Sequence, residues 1–120
     1  MRANNPELIL LDAGDTIQGD PSSFYFSHIV REKLRPLPII EVMNRLQYEA
    51  ITLGNHDFEP PVSVLKQNIA KSNFSWLAAN VRFQNAKQPL FPPYKILIWN
   101  GVRVGVLGLI TAGVPLWIDP

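Results

Sequence analysis

The 120-residue sequence contains no cysteine, which excludes disulfide cross-links and every thiolate metal site and leaves carboxylate, amide and imidazole as the ligands to consider. Histidine is scarce too, with only His28 and His56. No apolar run approaches the roughly 20 residues that a membrane-spanning helix needs. Residues 1–7 lack the apolar stretch of a secretory leader, so neither a membrane span nor an export signal is expected and localisation stays open. Neither sign of charge dominates: the formal net charge is +1. The densest basic cluster, Arg31, Lys33 and Arg35, reads as a solvated helix face rather than a footprint for duplex nucleic acid. No Gly-x-Gly-x-x-Gly turn follows the first apolar run, which argues against a dinucleotide-binding fold. What is present is 47% apolar residues, enough for one domain to bury a continuous core.

Residues 7–11 form a short apolar run ending at Asp12-Ala13-Gly14-Asp15, the pattern of a parallel strand covered on both faces. Between residues 21 and 34 the spacing of Phe26, Ile29, Val30 and Lys33 predicts a moderately amphipathic helix, ended by Pro36 and Pro38. From Pro38, at a first helical position, Ile39, Val42, Met43 and Leu46 recur at i, i+3, i+4 and i+7, which predicts a helix with those four inward. Residues 50–53 read as a second strand, with Gly54 giving the freedom to turn sharply into Asn55 and His56. Pro60-Pro61 open a further helix, with Val62, Leu65 and Ile69 inward and Lys66, Gln67 and Lys71 outward. Residues 75–79 return as a third strand ending at Asn80. After a polar loop with prolines at 89, 92 and 93, residues 94–99 and 102–109 flank Asn100-Gly101, a strong hairpin signal. The order β-α-α-β-α-β plus hairpin is that of an α/β fold, in one unit over residues 1–120, without repeats or low-complexity tracts. Residues 111–120 carry Pro115 and Pro120 and follow a strand with no packing helix, as though the fold were cut there.

Two segments place polar residues at the carboxyl ends of successive strands, where open α/β sheets bind ligands. Asp15 follows Gly14, and its two oxygens can bridge divalent ions about 3.5–4 Å apart, the spacing that clamps an in-line phosphoryl displacement. An isolated aspartate after glycine more often caps a turn. Asn55 offers a neutral oxygen donor, or simply a left-handed turn residue. His56 can be a metal ligand, a proton donor to a leaving oxygen or a cation facing phosphate; the plainer alternative is a partly buried histidine satisfied by backbone. Two such loops, one β-α-β unit apart, favour a metal-phosphate centre over the separate plain readings.

The run Asp12-Ala13-Gly14-Asp15-Thr16-Ile17-Gln18-Gly19, followed by Gly54-Asn55-His56-Asp57-Phe58-Glu59, closely resembles the calcineurin-like metallophosphoesterases. The branch is that of the 5′-nucleotidases and 2′,3′-cyclic-nucleotide 2′-phosphodiesterases. Supporting matches are Pro38-Ile39-Ile40-Glu41-Val42-Met43-Asn44, Leu77-Ala78-Ala79-Asn80-Val81 and residues 101–111. The resemblance implies a four-layer α-β-β-α sandwich, of which these residues form part, and hydrolysis of nucleotide phosphate monoesters or 2′,3′-cyclic nucleotides at a two-metal site. It implies Asp15 as the bridging carboxylate, Asn55 as a ligand of the second metal, and His56 as the catalytic residue that stabilises or protonates the departing oxygen. Glu59 would orient the histidine, Asp57 would support its loop, and Asp12 and Asn80 would fix the loops behind the ligands. The two ions could be manganese, zinc, iron or magnesium.

Members of this family also carry an Asp-x-His motif on an earlier strand and later histidines that include Gly-His-x-His. Neither motif occurs in these 120 residues, and His28 fits none of them. Asp15 and Asn55 cannot fill two coordination spheres of about four to six ligands each. The expectation is a segment of a longer phosphoesterase with an incomplete centre, inactive as an isolated chain. The competing reading is a non-catalytic α/β module that has lost the remaining ligands and serves as an anion binder or assembly piece. A partial sandwich should expose Ile96, Ile98, Val104 and Val106, or their opposite faces, and self-associate. The branch holds the nucleotide base in a separate domain and is commonly exported, so substrate and address are not fixed here; the Asp15-to-Gly19 loop and Val114-Pro115-Leu116-Trp117 lie nearer the cyclic-phosphodiesterase side.

Overall fold

Three parallel strands meet along short ladders: β1 (Leu11–Asp12) pairs with β2 (Ala50–Thr52), and β2 with β3 (Ser75–Leu77). A separate antiparallel hairpin joins β4 (Tyr94–Trp99) to β5 (Val102–Leu107). The computed structural model describes residues 4–5, 7–30, 36–82 and 84–117. Asp12, Ile51 and Trp76 stand side by side in register, so the segments that follow the three strands leave the sheet at one edge.

All the strands but β4, which spans residues 94–99 as expected, are shorter than the apolar runs that announce them. Only Leu11 of the first run, with Asp12 after it, joins the ladder. The Leu10 carbonyl accepts the Glu49 N–H at 2.9 Å, while Glu7 takes the Trp99 indole N–H on its carbonyl and the Asn100 amide on its carboxylate at 2.7 Å. At the other end β5 stops at Leu107 rather than residue 109. Gly108 passes against β3 so closely that an added Cβ would lie 2.5 Å from the Leu77 side chain, and its carbonyl accepts the Ala79 N–H at 2.8 Å.

Helix α1 (Pro21–Phe24) starts at Pro21 behind Asp20, whose carboxylate accepts the Ser22 and Ser23 N–H groups at 2.8 and 3.1 Å. Those two serines, through hydroxyl and backbone bonds, hold the Asp20 carboxyl far below the usual aspartate range. The helix widens into a π-helix over Tyr25–Val30, where the His28 ring stacks on Phe24 with centroids 4.4 Å apart. The expected continuation to residue 34, with the basic cluster at 31–35, lies outside the described residues.

Helix α2 (Pro38–Leu46) forms where expected but faces differently. Ile40 and Met43 are the buried pair, joined by Leu37, whereas Ile39, Val42 and Leu46 are exposed. Helix α3 (Val62–Lys71) buries Leu65 and half-buries Ile69, but Val62 is outside and Asn68 takes an inward position. The Asn68 amide is satisfied there, accepting the Leu37 N–H and donating to the Val64 carbonyl, both at 2.9 Å. Lys66 and Lys71 are exposed and Gln67 is half-buried. Asn44 fastens the two helices, accepting the Asn73 N–H at 2.7 Å and donating to the Lys71 carbonyl at 2.8 Å.

The core gathers Ile17, Leu37, Ile40, Met43, Ile51, Leu53, Leu65, Phe74, Trp76 and Ala78, each large apolar side chain contributing about 1.5–3 kcal/mol on burial. The hairpin docks through Leu97 and through Lys95, whose ammonium donates to the Glu49 carbonyl at 2.8 Å and pairs with its carboxylate at 3.1 Å. At the hairpin tip Asn100 and Gly101 both have positive φ, +49° and +77°, the handedness that suits a two-residue turn between right-twisted strands. Residues 114–117 form a helical turn, α4 (Val114–Trp117), whose Leu116 is 84% exposed. No helix among the described residues is long and apolar enough to cross a membrane.

Candidate active site

The β1 strand runs out at Asp12, whose carboxylate turns back to accept the Gly14 N–H at 2.8 Å and the Thr16 hydroxyl at 2.7 Å. The chain then takes two consecutive left-handed steps, φ +98° at Gly14 and +59° at Asp15. Aspartate is one of the few non-glycine residues that adopt positive φ, and neighbouring contacts hold Asp15 there.

Those contacts come from the loop after β2. Gly54 does not have positive φ, so the freedom to turn sharply is not what glycine provides there. It provides closeness: a Cβ on Gly54 would sit 2.1 Å from Asp15 Oδ1, and one on Gly14 would sit 2.3 Å from the Gly54 nitrogen. Asn55 has ordinary right-handed angles, φ −68° and ψ −36°, rather than left-handed ones, and its side chain does not cap the short 3-10 turn His56–Phe58 that it precedes. The His56 backbone N–H donates to Asp15 Oδ1 at 2.9 Å.

Asp57 is fully buried between the loops. Its Oδ2 accepts the N–H groups of Gly54 at 2.8 Å and Asp15 at 3.0 Å, and its Oδ1 accepts those of Thr16 and Ile17, both at 3.0 Å. Burial pushes the Asp57 carboxyl above the ordinary aspartate value, and the four N–H donors pull it back.

His56 Nδ1 lies 2.5 Å from Glu59 Oε1, one helical turn on. This pair is half-exposed, with 44% and 37% of the side chains open to solvent. The bonded Glu59 carboxylate raises the imidazole above the ordinary histidine value, partial desolvation opposes it, and the charges of Glu59, Asp15 and Asp57 push upward again. The bond occupies Nδ1 and leaves the opposite ring nitrogen, Nε2, outside the pair.

Asp12, Asp15, Asn55, His56, Asp57 and Glu59 thus share one pair of facing loops. The exposed Asn80 amide is engaged with Ile110, donating to the carbonyl at 2.7 Å and accepting the N–H at 3.1 Å. Beside Asp15 opens a cleft of about 580 Å³, with Asp12, Asp15 and Thr16 on one side and Phe26, Ile39 and Val42 on the other. The sequence reading had Ile39 and Val42 in the core and did not single out Thr16. An Asp-to-Thr spacing of four at a strand end was the available signal for Thr16; nothing in the sequence announced the cleft. Among the described residues, Gln18 Oε1 is buried without a hydrogen-bond partner.

Asp15 and Asn55 suit divalent ions in kind, as oxygen donors. Among the described residues, no group of three or more histidine, aspartate or glutamate side chains is arranged to hold a metal ion.

No protein-family model matches the chain, but individual proteins do. Protein UshA of Yersinia enterocolitica is 36% identical over 104 residues, covering 87% of this chain and 18% of its own length. The snake venom 5′-nucleotidase of Gloydius brevicauda is 33% identical over 125 residues, covering the whole chain and 20% of its own. In three dimensions, the calcineurin-like phosphoesterase YfkN from Bacillus subtilis superposes over 97% of this chain and 38% of its own, with a TM-score of 0.78 and 32% identity. The chain therefore spans about a fifth of the length of the curated relatives it matches. With the fold, both loop signatures and these likenesses in agreement, the chain belongs to the calcineurin-like metallophosphoesterases, in the branch of 5′-nucleotidases and cyclic-nucleotide phosphodiesterases.

Proposed function

We propose that this chain supplies one side of a two-metal nucleotide phosphoesterase site, acting on phosphate monoesters or 2′,3′-cyclic nucleotides. The observation that carries the reading is the His56–Glu59 pair at 2.5 Å, on a loop whose backbone donates to Asp15. Glu59 fixes the ring and keeps His56 protonated to higher pH, which equips Nε2 to give a proton to the oxygen that leaves phosphorus. Asp15 and Asn55 would hold the ions, Asp15 as the bridge, and Asp12 and Asp57 fix the backbone behind them. Divalent ions, when bound there, supply positive charge to the phosphate oxygens and orient the ester. The remaining ligands come from outside these 120 residues. The substrate class is taken from relatives named 5′-nucleotidase and 2′,3′-cyclic-nucleotide 2′-phosphodiesterase/3′-nucleotidase.

The test is hydrolysis of an aryl phosphate, of AMP and of a 2′,3′-cyclic nucleotide with manganese, by this chain alone and by the chain joined to adjoining coding sequence. Metal-dependent turnover in the joined form, lowered at least about a hundredfold by His56→Ala, is the expected outcome. Strong turnover by the 120 residues alone contradicts the shared-site reading. A second reading, a non-catalytic anion-binding module, draws on the small number of grouped ligands; phosphate binding without metal, and no turnover in any form, would favour it.

A further inference from the structure

We propose that Asp57 is a positioning residue whose one buried carboxylate locks the Asp15 loop to the Asn55–His56 loop in working alignment before any ligand arrives. What the alignment serves rests on the phosphoesterase reading; the alignment itself rests on geometry. All four donors to Asp57 are backbone N–H groups, two on each oxygen, and three of them belong to residues 40 to 42 positions earlier in the chain. Asp15 sits at a φ that few side chains tolerate, and such a residue persists only where its surroundings over-determine it. The Asp57 bonds on Asp15, Thr16 and Ile17 supply that constraint.

The same anchor acts on the other loop. With the Asp57 side chain held, the backbone one residue earlier is placed so that the His56 N–H meets Asp15 Oδ1 at 2.9 Å. One residue therefore sets both the carboxylate and the histidine. The Glu59 side chain, on the exposed side of the ring, fixes the imidazole but makes no such bond across the loops.

The number of acceptor oxygens, not the shape of the side chain, is what the arrangement requires. Asparagine has nearly the same shape but one acceptor, so its NH₂ would face two N–H donors and leave them buried without partners. If Asp57 merely fills space, asparagine should serve as well.

The experiment is residue-resolved amide exchange by NMR on the metal-free chain, comparing wild type, Asp57→Asn and Leu65→Ala, the last a core cavity that removes none of the Asp57 hydrogen bonds. In wild type the amides of Asp15, Thr16, Ile17 and Gly54 should be protected although Asp15 is exposed. In Asp57→Asn, one pair of amides, Thr16 with Ile17 or Gly54 with Asp15, should lose protection at least tenfold further than the β2 amides, with upfield movement of that pair's amide protons. Leu65→Ala should lower all amides alike. A uniform fall in Asp57→Asn overturns the proposal, and so does wild-type exchange at these four amides as fast as in an unstructured peptide. The wild-type arm decides the matter if the asparagine variant does not fold. Neither metal nor substrate is used, so an inactive protein would count against the proposed function and leave this result intact.

Discussion

At the ends of β1 and β2, backbone meets backbone with no room for a methyl group, and each close approach is matched by a hydrogen bond. On the outer face of the β4-β5 hairpin, Tyr94, Ile96, Ile98 and Leu107 stand in solvent, and the glycine between the strands has open surroundings. Both regions are conspicuous in the sequence, one for its polar residues and the other for its apolar ones. Their tolerance to change should be opposite: the loops are specified atom by atom, the hairpin face only in its alternation.

The largest effect should come from Gly54→Ala, whose new methyl would fall 2.1 Å from Asp15 Oδ1; a loss of about 3 kcal/mol in urea unfolding is expected, the upper range for an overpacked site. Gly105→Ala, with Ile96 Cδ1 as nearest neighbour at 3.7 Å, should stay within about 0.5 kcal/mol of wild type. Equal losses at the two glycines would remove the contrast. Next comes Gly101→Ala in the hairpin turn, where φ is +77° but the space is open. Strain alone should cost about 1 kcal/mol there, read from the same unfolding curves.

Smaller again is the effect of Glu59→Gln. In the metal-free chain the ¹H–¹³C signals of His56 should titrate above the ordinary 6.5 and move back toward it in the variant. A raised folded value means that the stabilisation is complete below 6.5 and is lost as pH climbs through the higher folded midpoint. The variant should therefore lose stability on the acidic side of that window and little above it. An unchanged His56 midpoint would show that the carboxylate does not govern the ring. The least effect on folding belongs to Ile98→Thr, within about 0.5 kcal/mol for a surface site, although it should lower self-association in sedimentation velocity if the exposed face mediates it.

What could be read in advance follows the range of the interactions. Asn100-Gly101 was legible because its turn is decided by two residues. The strand and helix order was legible from apolar runs and prolines. The α2 face was misassigned because Ile39, Val42, Met43 and Leu46 satisfy helical spacing on their own, while the buried pair is chosen by where Leu37 and Asn68 meet. Val62 was misplaced for the same reason, and Asn68 was overlooked because its partners come from another helix and the segment before it. In the candidate site, the motif named the residues but not their work. The crowding at Gly54 and three of the four bonds at Asp57 exist only once segments some 40 residues apart have met.

That separation bears on the order of folding. The bonds from Asp57 to residues 15–17 close a long loop, and contacts of that range return nothing until the closure entropy has been met. They form when the segments after β1 and β2 meet. A chain arrested before that step would carry every letter of both signatures and present no site. The two loops therefore report on the meeting of two distant segments, and their amide protection during refolding is expected to recover no earlier than that of the β2 amides.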